Sequence, residues 1–268
     1  MKNVSSSEYL MESTNENHRL SSKVDPIQFI HQYLVDRISN HTNILDVGCG
    51  PAVIDEQLAQ SYPNANIVGI DVSSNRLIQA SQNIKAFPNL KLLSANLYDL
   101  PFNNNSFHFV FARMVFEYLK FPLKAISELK RVCRPDGHVM IQDIDGQFLQ
   151  QYPVNIRLFE KVNKIFSELN EQTGFDPFVG RKLYYYFSTS RFQNIQVLME
   201  PYHLLSGKIN SKDYVYWEQK LFSVLPKLSQ YSQMTPEEIQ EVVNSYLDYL
   251  KNKETFTFSN LLTVYGKK

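Results

Sequence analysis

The stretch NILDVGCGPA, residues 43–52, decides the fold. Its first five residues predict a short buried strand, and its two glycines predict a tight turn into a helix over about 52–61. Glycine lets a ligand approach the backbone closely, and the first turn of a helix leaves N–H groups free to face that ligand. The stretch therefore predicts a strand–turn–helix unit. Its glycines serve either a nucleotide-type ligand or the turn alone.

Short apolar runs alternate with helical patterns from this unit onward. Strands are predicted at 66–70, 90–93, 107–112 and 138–142, helices at 74–83 and 123–132, and a turn at 134–137. Apolar strands separated by helices are typical of a parallel sheet with helices on both faces. The region up to residue 145 therefore predicts an open α/β sheet.

The pattern changes after Gly146. Helices are predicted at 154–169 and 213–228, and a third begins at Thr235, where Pro236 and Glu238 complete a capping box. Strands at 195–199 and 256–265 would extend the edge of the sheet. Residues 146–268 also hold 22 of the 35 aromatic side chains. This part of the chain predicts a helical lid with an apolar, aromatic pocket.

Composition excludes several classes of protein. Lys and Arg total 27, as do Asp and Glu, so the formal net charge is zero and no basic face for nucleic acid is indicated. The first 20 residues are polar, and no run approaches the roughly 18 apolar residues of a membrane span. Two cysteines cannot form a disulfide framework. We expect a cytoplasmic protein that binds neither nucleic acid nor membranes.

The spacing of the glycines distinguishes two kinds of nucleotide-binding turn. A dinucleotide fingerprint, G-x-G-x-x-G, requires a third glycine where this chain has Val53. Residues 46–52 instead follow D-x-G-x-G-x-A. The next strand ends in Asp71, whose carboxylate can accept both hydroxyls of a ribose. Ligands of open α/β sheets bind beyond the carboxyl ends of the strands, so both features should face one crevice.

These motifs resemble those of the class I S-adenosylmethionine (SAM)-dependent methyltransferases. The similarity is carried, in order, by residues 44–52, 67–73, 94–102, 107–119 and 129–143. It implies a Rossmann-like open sheet of about seven strands, mostly parallel with an antiparallel edge strand, plus a helical lid. Residues 8–20 and 176–183 are similar to a bacterial subgroup that methylates small molecules. The cofactor implied is SAM, and its product is S-adenosylhomocysteine.

The resemblance also implies a cofactor site. Asp46 would orient the ammonium of SAM, Asp71 would hold the ribose, and Asn96 would meet the adenine, where family members usually carry Asp. Arg19 would pair with the SAM carboxylate or would be a solvated surface arginine. The complete set is Tyr9, Arg19, Asp46, Gly48, Cys49, Gly50, Asp71, Val72, Asn96, Leu97, Arg113 and Met114.

Methyl transfer by direct displacement requires alignment and exclusion of water, with a general base only where the acceptor must lose a proton. Glu117, Tyr118 and Asp143 are the candidate catalytic residues because they follow strands four and five, and Asp145 is a further acid there. Their alternatives are a charge at a helix start and solvated loop residues. Asp143 and Asp145 lack a clear third metal ligand, so no metal is expected.

The sequence thus predicts a methyltransferase acting on a small, hydrophobic or aromatic acceptor, as a monomer or homodimer. The expected organisation is a helical cap over the cofactor at 1–40, a SAM-binding core at 41–145, a lid at 146–255 with a strand near 195–200, and a final strand at 256–268. The alternatives are a non-catalytic SAM-binding protein and a methyltransferase of tRNA or protein. An NAD-dependent oxidoreductase is the least favoured because of the glycine spacing.

Overall fold

The computed structural model describes residues 20–21, 23–83 and 87–268, with the backbone alone at 83 and 147–149. The described chain builds one seven-stranded sheet with helices on its faces and a helical layer at one end. The strands are β1 (Asn43–Val47), β2 (Asn66–Asp71), β3 (Leu90–Ser94), β4 (Phe107–Arg113), β5 (Cys133–Tyr152), β6 (Gln193–Ser206) and β7 (Phe256–Lys267).

The strand order is β3-β2-β1-β4-β5-β7-β6. The first five strands of that order are parallel, and β7 runs antiparallel to both of its neighbours. This confirms the mostly parallel, Rossmann-like sheet of about seven strands. The antiparallel strand, β7, lies one position in from the edge that β6 forms.

Six of the helices lie close to their predicted positions, whereas those at Pro26–Phe29 and Leu183–Thr189 were not predicted individually. The helices are α1 (Pro26–Phe29, continued by a π-helical turn at Ile30–Leu34), α2 (Val53–Ser61), α3 (Ser74–Asn83), α4 (Pro122–Val132), α5 (Ile156–Thr173), α6 (Leu183–Thr189), α7 (Ser211–Tyr231) and α8 (Pro236–Lys251). Single 3-10 turns lie at Phe116–Tyr118 and Gly180–Lys182. The capping box at the start of α8 is present, with Thr235 and Glu238 each accepting from the other's backbone N–H.

The predicted turn at 134–137 is part of a strand. Phe107 pairs with Cys133 but Phe109 pairs with His138, so the residues between them bulge out of the ladder. Asp136 has a φ of +64°, the left-handed conformation expected in a turn. Turn-forming residues here produce a bulge because the strand resumes directly after them and continues to Tyr152.

Three apolar cores hold the molecule together. One covers the face of the sheet that packs on α4 and α6, with Val110 and Leu129 at its centre. A second covers the opposite face, with Ile44 and Phe111. The third lies between α5, α7 and α8, which we call the helical layer, and includes Trp217. The helical layer therefore has a core of its own beside the sheet.

The described part of the N-terminal segment divides between two positions. Phe29 and Leu34 are buried against the sheet, where the ring of Phe29 lies 6.1 Å from that of Phe111. Leu20 and Lys23 instead line a crevice at the carboxyl ends of the strands. The helix at 26–34 is thus a sheet-covering helix, and the part that reaches toward a ligand precedes it.

The helical layer is joined to the sheet at Gly174, which ends α5 with a φ of +85°. A Cβ at this position would lie 2.5 Å from the Cα of Lys120, in the loop that follows β4. Glycine is therefore required twice here, once for the left-handed helix end and once for the close backbone contact. This joint fixes α5 against the loop that carries Phe116–Tyr118.

Candidate cofactor site

The glycine turn after β1 is held against the end of β2. The backbone N–H groups of Gly48 and Cys49 both donate to the carbonyl of Ile70, at 2.7 and 2.9 Å. Gly48 and Gly50 have φ values of +78° and +55°, which glycine adopts without strain. Ala52 follows in the left-handed conformation and begins α2. The turn therefore curls away from the strand and leaves a concavity in front of the helix.

Asp71 ties the first two strand–helix turns together. One carboxylate oxygen accepts from the N–H of Gly50 at 2.9 Å, and the other accepts from the N–H of Ser73 at 2.8 Å. Arg76 lies 3.4 Å from the second oxygen. An ionised carboxylate has about four acceptor sites, so capacity remains for ribose hydroxyls. Asp71 thus anchors the loop and still faces the crevice.

The crevice opens at the carboxyl ends of β1, β2 and β4 and encloses about 180 Å³. Ten of the twelve predicted cofactor residues line it: Asp46, Gly48, Cys49, Gly50, Asp71, Val72, Asn96, Leu97, Arg113 and Met114. The other two, Tyr9 and Arg19, lie outside the described residues. We call this space the cofactor crevice.

A pair of buried carboxyl groups lies beneath the turn, on Asp46 of β1 and Asp55 of α2. Burial, and then the neighbouring Asp55 carboxyl, raise the pKa of Asp46 well above its usual range, while Arg113 opposes that rise. Burial raises the pKa of Asp55 to about 8. Within the described chain, no hydrogen bond of standard geometry reaches either side-chain oxygen of Asp55. The pair therefore holds a proton at neutral pH.

This shared proton predicts a pH-dependent stability. Below the ordinary Asp pKa of about 3.9, folded and unfolded chains are both protonated. Between that value and about 8, the folded chain keeps a proton that the unfolded chain releases. This one proton should therefore lower the free energy of unfolding as the pH rises, by up to about 1.4 kcal/mol per pH unit. Asp55→Asn removes the titrating group, so it should unfold with a flatter pH profile and be more stable than the wild type at pH 8.

Urea unfolding at pH 5 and pH 8 measures this difference. Asp213→Asn is a suitable control because Asp213 is an exposed acid at the start of α7. Equal pH slopes for Asp55→Asn and the wild type would show that Asp55 ionises normally in the folded chain.

Cys49 lies over the same pair of acids. Burial, followed by the charges of Asp55 and Asp46, raises the pKa of its thiol well above the ordinary value. A neutral thiol is a poor nucleophile. Cys49 therefore serves as a small side chain in the turn and not as a nucleophile.

Arg113 is held at the edge of the crevice by a buried relay. Its Nε donates to the side-chain oxygen of Gln142 at 3.0 Å, and the Gln142 amide donates to Thr263 on β7 at 2.8 Å. Gln142 and Thr263 are both fully buried. This role of Gln142 was not predicted. It could have been suspected from the sequence, because an amide at the end of an apolar strand is buried and a buried amide requires a hydrogen-bond partner.

Asn96 stands where family members usually carry Asp, and its side-chain oxygen already accepts one hydrogen bond. Its Oδ1 accepts from the N–H of Tyr98 at 2.9 Å, which shapes the loop after β3. A carboxylate in the same place would keep that bond and offer a second, charged oxygen to the crevice. Asn96 instead adds an amide donor there.

Asn96→Asp should therefore tighten SAM binding. The adenine amine is a donor, and a hydrogen bond to a charged acceptor is about twice as strong as a neutral one. We expect a gain of about fivefold, near 1 kcal/mol, by calorimetry. An analogue that lacks the adenine amine should show no gain. Unchanged or weaker SAM binding would place the adenine away from residue 96.

The three catalytic candidates occupy different environments. Asp143 is fully buried: one of its oxygens accepts from the N–H groups of Val115 and Glu117, and the other accepts from Ile144. Burial, followed by the charge of Glu117, raises its pKa well above the usual value. Asp143 thus anchors the loop after β4 and does not line the cofactor crevice.

Glu117 and Tyr118 lie next to each other but face different surroundings. Glu117 is buried, and its carbonyl accepts from the N–H of Asp176 at 2.7 Å. Tyr118 lines the crevice. Asp145 is engaged by both Nε and Nη2 of Arg181, at 2.7 and 2.8 Å. Of the predicted catalytic residues, Tyr118 alone borders the crevice in the described structure.

Further lining residues were not predicted from the sequence. They include Leu20, Lys23 and Val24 before α1, Arg76 on α3, and Ala95, Tyr98, Val115 and Leu119 in the loops after β3 and β4. Arg76 could have been found, because it follows Asp71 at the start of a predicted helix. The others carry no chemistry that a single sequence reveals.

The described residues contain neither a membrane-spanning helix nor a cluster of metal-binding side chains. None of their helices has the length and apolar character needed to cross a bilayer. None of their His, Cys, Asp and Glu side chains cluster in threes as a metal site would require.

Known proteins are similar to this chain in sequence and in fold. Residues 45–141 match the family model described as a methyltransferase domain. An uncharacterized methyltransferase of Schizosaccharomyces pombe is 31% identical over 129 residues, 45% of this chain and 46% of that protein. A demethylmenaquinone methyltransferase of Listeria monocytogenes is 28% identical over 160 residues, 54% of this chain and 68% of that protein.

The fold is similar to that of phosphoethanolamine N-methyltransferase 2 of Haemonchus contortus, solved in complex with SAM. The two share 16% identity with a TM-score of 0.57, over 91% of this chain and 52% of that one. This chain thus spans about half the length of the yeast and nematode proteins. The matched domain contains β1 to β4 and the glycine turn. Residues 45–141 of the chain thus match a methyltransferase domain, and the chain is similar in fold to a methyltransferase solved with S-adenosylmethionine.

Proposed function

We propose that this chain transfers a methyl group from SAM to a small, hydrophobic or aromatic acceptor by direct displacement. The observation that carries the proposal is the convergence of ten cofactor residues, found from separate motifs, on one crevice. The crevice is bordered by Tyr118, whose other side faces an apolar cavity in the helical layer. A donor site and an acceptor site therefore share one wall.

The residues of the crevice fit SAM by their chemistry. Asp46 supplies negative charge for the ammonium, and a bound cation would favour release of the proton that this carboxyl pair holds. Asp71 supplies acceptors for the ribose, and the exposed side chain of Val72 supplies an apolar surface for the adenine. Gly48 and Gly50 let the ligand approach the backbone.

SAM supplies an electrophilic methyl group on its sulfonium. Transfer of that methyl group to the acceptor atom would break the carbon–sulfur bond, leave its electron pair on sulfur as S-adenosylhomocysteine, and release any acceptor proton to a base or to solvent. The protein contributes alignment and exclusion of water. Tyr118 borders both spaces, so its hydroxyl is placed to orient the acceptor. The apolar side chains of α5, α7 and α8 keep water from the other side.

Two features of the relatives and the chain support a small acceptor. One relative is named for demethylmenaquinone, a small molecule. The equal number of acidic and basic residues disfavours the phosphate contacts that a tRNA substrate needs. A non-catalytic SAM-binding protein is the remaining alternative, because Asn96 weakens one adenine contact and Tyr118 is the only predicted catalytic residue that borders the described crevice.

Incubation with labelled SAM and a cell metabolite extract tests this function. Mass spectrometry should detect S-adenosylhomocysteine together with a small product that has gained one methylene unit. Label in the protein or tRNA fraction would instead support a macromolecular acceptor. SAM binding by calorimetry without any turnover would support the non-catalytic alternative.

A further inference from the structure

An apolar cavity lies inside the helical layer, separate from the cofactor crevice. It encloses about 100 Å³ between α5, α7 and α8. Of the thirteen described residues that line it, ten are Val, Ile, Leu or Phe. Side chains around an unfilled space lack dispersion contacts on one side, and a ligand of matching chemistry would restore them.

The remaining described residues of the wall are Tyr118, Lys220 and Tyr246. The Nζ of Lys220 lies 4.7 Å from the centre of the Trp217 ring, and Trp217 is not part of the described wall. Lys220 therefore lines the cavity with its carbon chain, while its ammonium is held at the indole. Burial raises the pKa of Tyr246, so its hydroxyl is uncharged at neutral pH. The described wall thus presents hydrocarbon and no charge to a ligand.

A wall of this composition selects an uncharged hydrocarbon group. A carboxylate or an ammonium that entered would lose its hydration without gaining a partner of opposite charge in the described wall. An apolar cavity also excludes water and leaves its space to apolar molecules. An engineered cavity of about 150 Å³ binds benzene, so a cavity of about 100 Å³ holds no more than one ring.

Tyr118 connects this cavity to the cofactor crevice, because its side chain lines both. Its ring packs 5.6 Å from that of Phe175, which also lines the cavity and lies 5.8 Å from the ring of Phe166. A molecule that extends past the Tyr118 ring would therefore have one end in the cavity and the other end beside the methyl donor.

We propose that the methyl acceptor carries an uncharged hydrocarbon group of at most one ring, which binds in this cavity while the atom to be methylated stays on the crevice side of Tyr118. This inference rests on the proposed methyl transfer. It adds the charge, the size and the position of the apolar end of the acceptor. Leu221 and Val224 of α7, which line the cavity, then determine which acceptors fit.

Fluorine NMR of small probes tests the cavity without turnover. The full-length protein, saturated with S-adenosylhomocysteine, is titrated with 4-fluorotoluene and with the charged 4-fluorobenzoate, which have one ring each. We expect the wild type to bind the hydrocarbon at least about 100-fold more tightly than the carboxylate. The two-ring probe 1-fluoronaphthalene should show no measurable binding.

Val224→Phe should fill the cavity and weaken binding of 4-fluorotoluene by at least about tenfold. The matched control is Val215→Phe, the same substitution at a position that is 46% exposed on the same helix. That variant should bind the probe as the wild type does. Thermal unfolding of both variants shows that they are folded.

Leu221→Ala should enlarge the cavity and allow 1-fluoronaphthalene to bind. This variant keeps the test decisive if Val224→Phe fails to fold, because a gain of binding is measured. Leu204→Ala is its control, since Leu204 is exposed on β6, and it should not bind the two-ring probe.

A competition experiment connects the cavity to the acceptor. 4-Fluorotoluene should inhibit transfer of label from SAM to the small product in a metabolite extract, and it should leave the affinity for SAM unchanged. Three outcomes overturn the proposal: the wild type binds the carboxylate as tightly as the hydrocarbon or binds neither, Val224→Phe and Leu221→Ala both bind the probes as the wild type does, or a saturating probe leaves turnover unchanged.

The same experiment separates this failure from failure of the proposed function. Turnover that continues at full rate with the cavity occupied would refute only the position of the acceptor. Absence of any turnover would refute the proposed methyl transfer, and this inference with it.

Discussion

Asp71→Ala should lower the affinity for SAM by about 100-fold or more, near 2.7 kcal/mol. Two losses combine in this variant. The N–H groups of Gly50 and Ser73 lose the carboxylate that accepts from them, at 2.9 and 2.8 Å, so the two loops around the crevice are no longer joined. The ribose hydroxyls lose their charged acceptor as well. Since Asp71 is only 8% exposed, water replaces it poorly.

Calorimetry with SAM measures the total effect, and a second ligand separates the two causes. S-adenosylhomocysteine should bind the wild type about tenfold more tightly than its 2′-deoxy analogue. In Asp71→Ala the two should bind equally. A persistent preference for the ribose hydroxyl would mean that Asp71 acts only as a loop anchor. Asp99→Ala is the control because Asp99 is exposed and lies outside the crevice lining.

Gly48→Ala should lower the free energy of unfolding by about 2–4 kcal/mol and abolish measurable SAM binding. The backbone of Gly48 has a φ of +78°, which costs a side chain about 1–2 kcal/mol. The added Cβ would also overlap Cγ2 of Val115, in the loop after β4. Overpacking of this kind typically costs about 1–3 kcal/mol. Both effects deform the turn that faces the ligand.

Gly50→Ala is a matched control for the strain alone. Its φ is also positive, +55°, but among the described residues its Cβ would meet only the side chain of Leu20, at an ordinary 3.9 Å. This variant should lose about 1 kcal/mol of stability. Denaturant unfolding of both variants measures the difference.

Val115→Ala should partly rescue Gly48→Ala, because it removes the methyl group in the way. In a double-mutant cycle the two changes should be less destabilising together than the sum of the single variants, by about 1 kcal/mol or more. Additive effects would show that the contact with Val115 is relaxed at no cost and that φ strain accounts for the whole loss.

The parts of the site that could be predicted from sequence are those built from short segments. Gly48 and Gly50 predict a turn because few residues other than glycine adopt positive φ. Asp71 ends an apolar strand, and the carboxyl ends of parallel strands lie at the same edge of the sheet. Adjacent parallel strands bring such residues together whatever the surrounding sequence is. The pairing of β1 with β2 and β4 could therefore be predicted without knowledge of any side-chain contact.

The catalytic candidates could not be distinguished in this way. Glu117, Tyr118 and Asp143 all follow strands at the carboxyl edge, but only the packing of the loop after β4 shows which of them faces the crevice. Asp143 turns inward because the N–H groups of Val115 and Glu117 need an acceptor there. Asp145 forms an ion pair with Arg181. The two residues lie 36 positions apart, so this pairing could not be predicted from the sequence.

The glycine turn, the Rossmann-like core and the cofactor class were determined by the sequence itself, since each depends on local periodicity and on backbone conformations that specific residues require. The apolar cavity of the helical layer was decided by the tertiary structure. Its lining residues carry no shared motif, and side chains such as Tyr118 and Tyr246 meet only because α5, α7 and α8 pack into one layer. The burial that creates this cavity is a property of the folded chain.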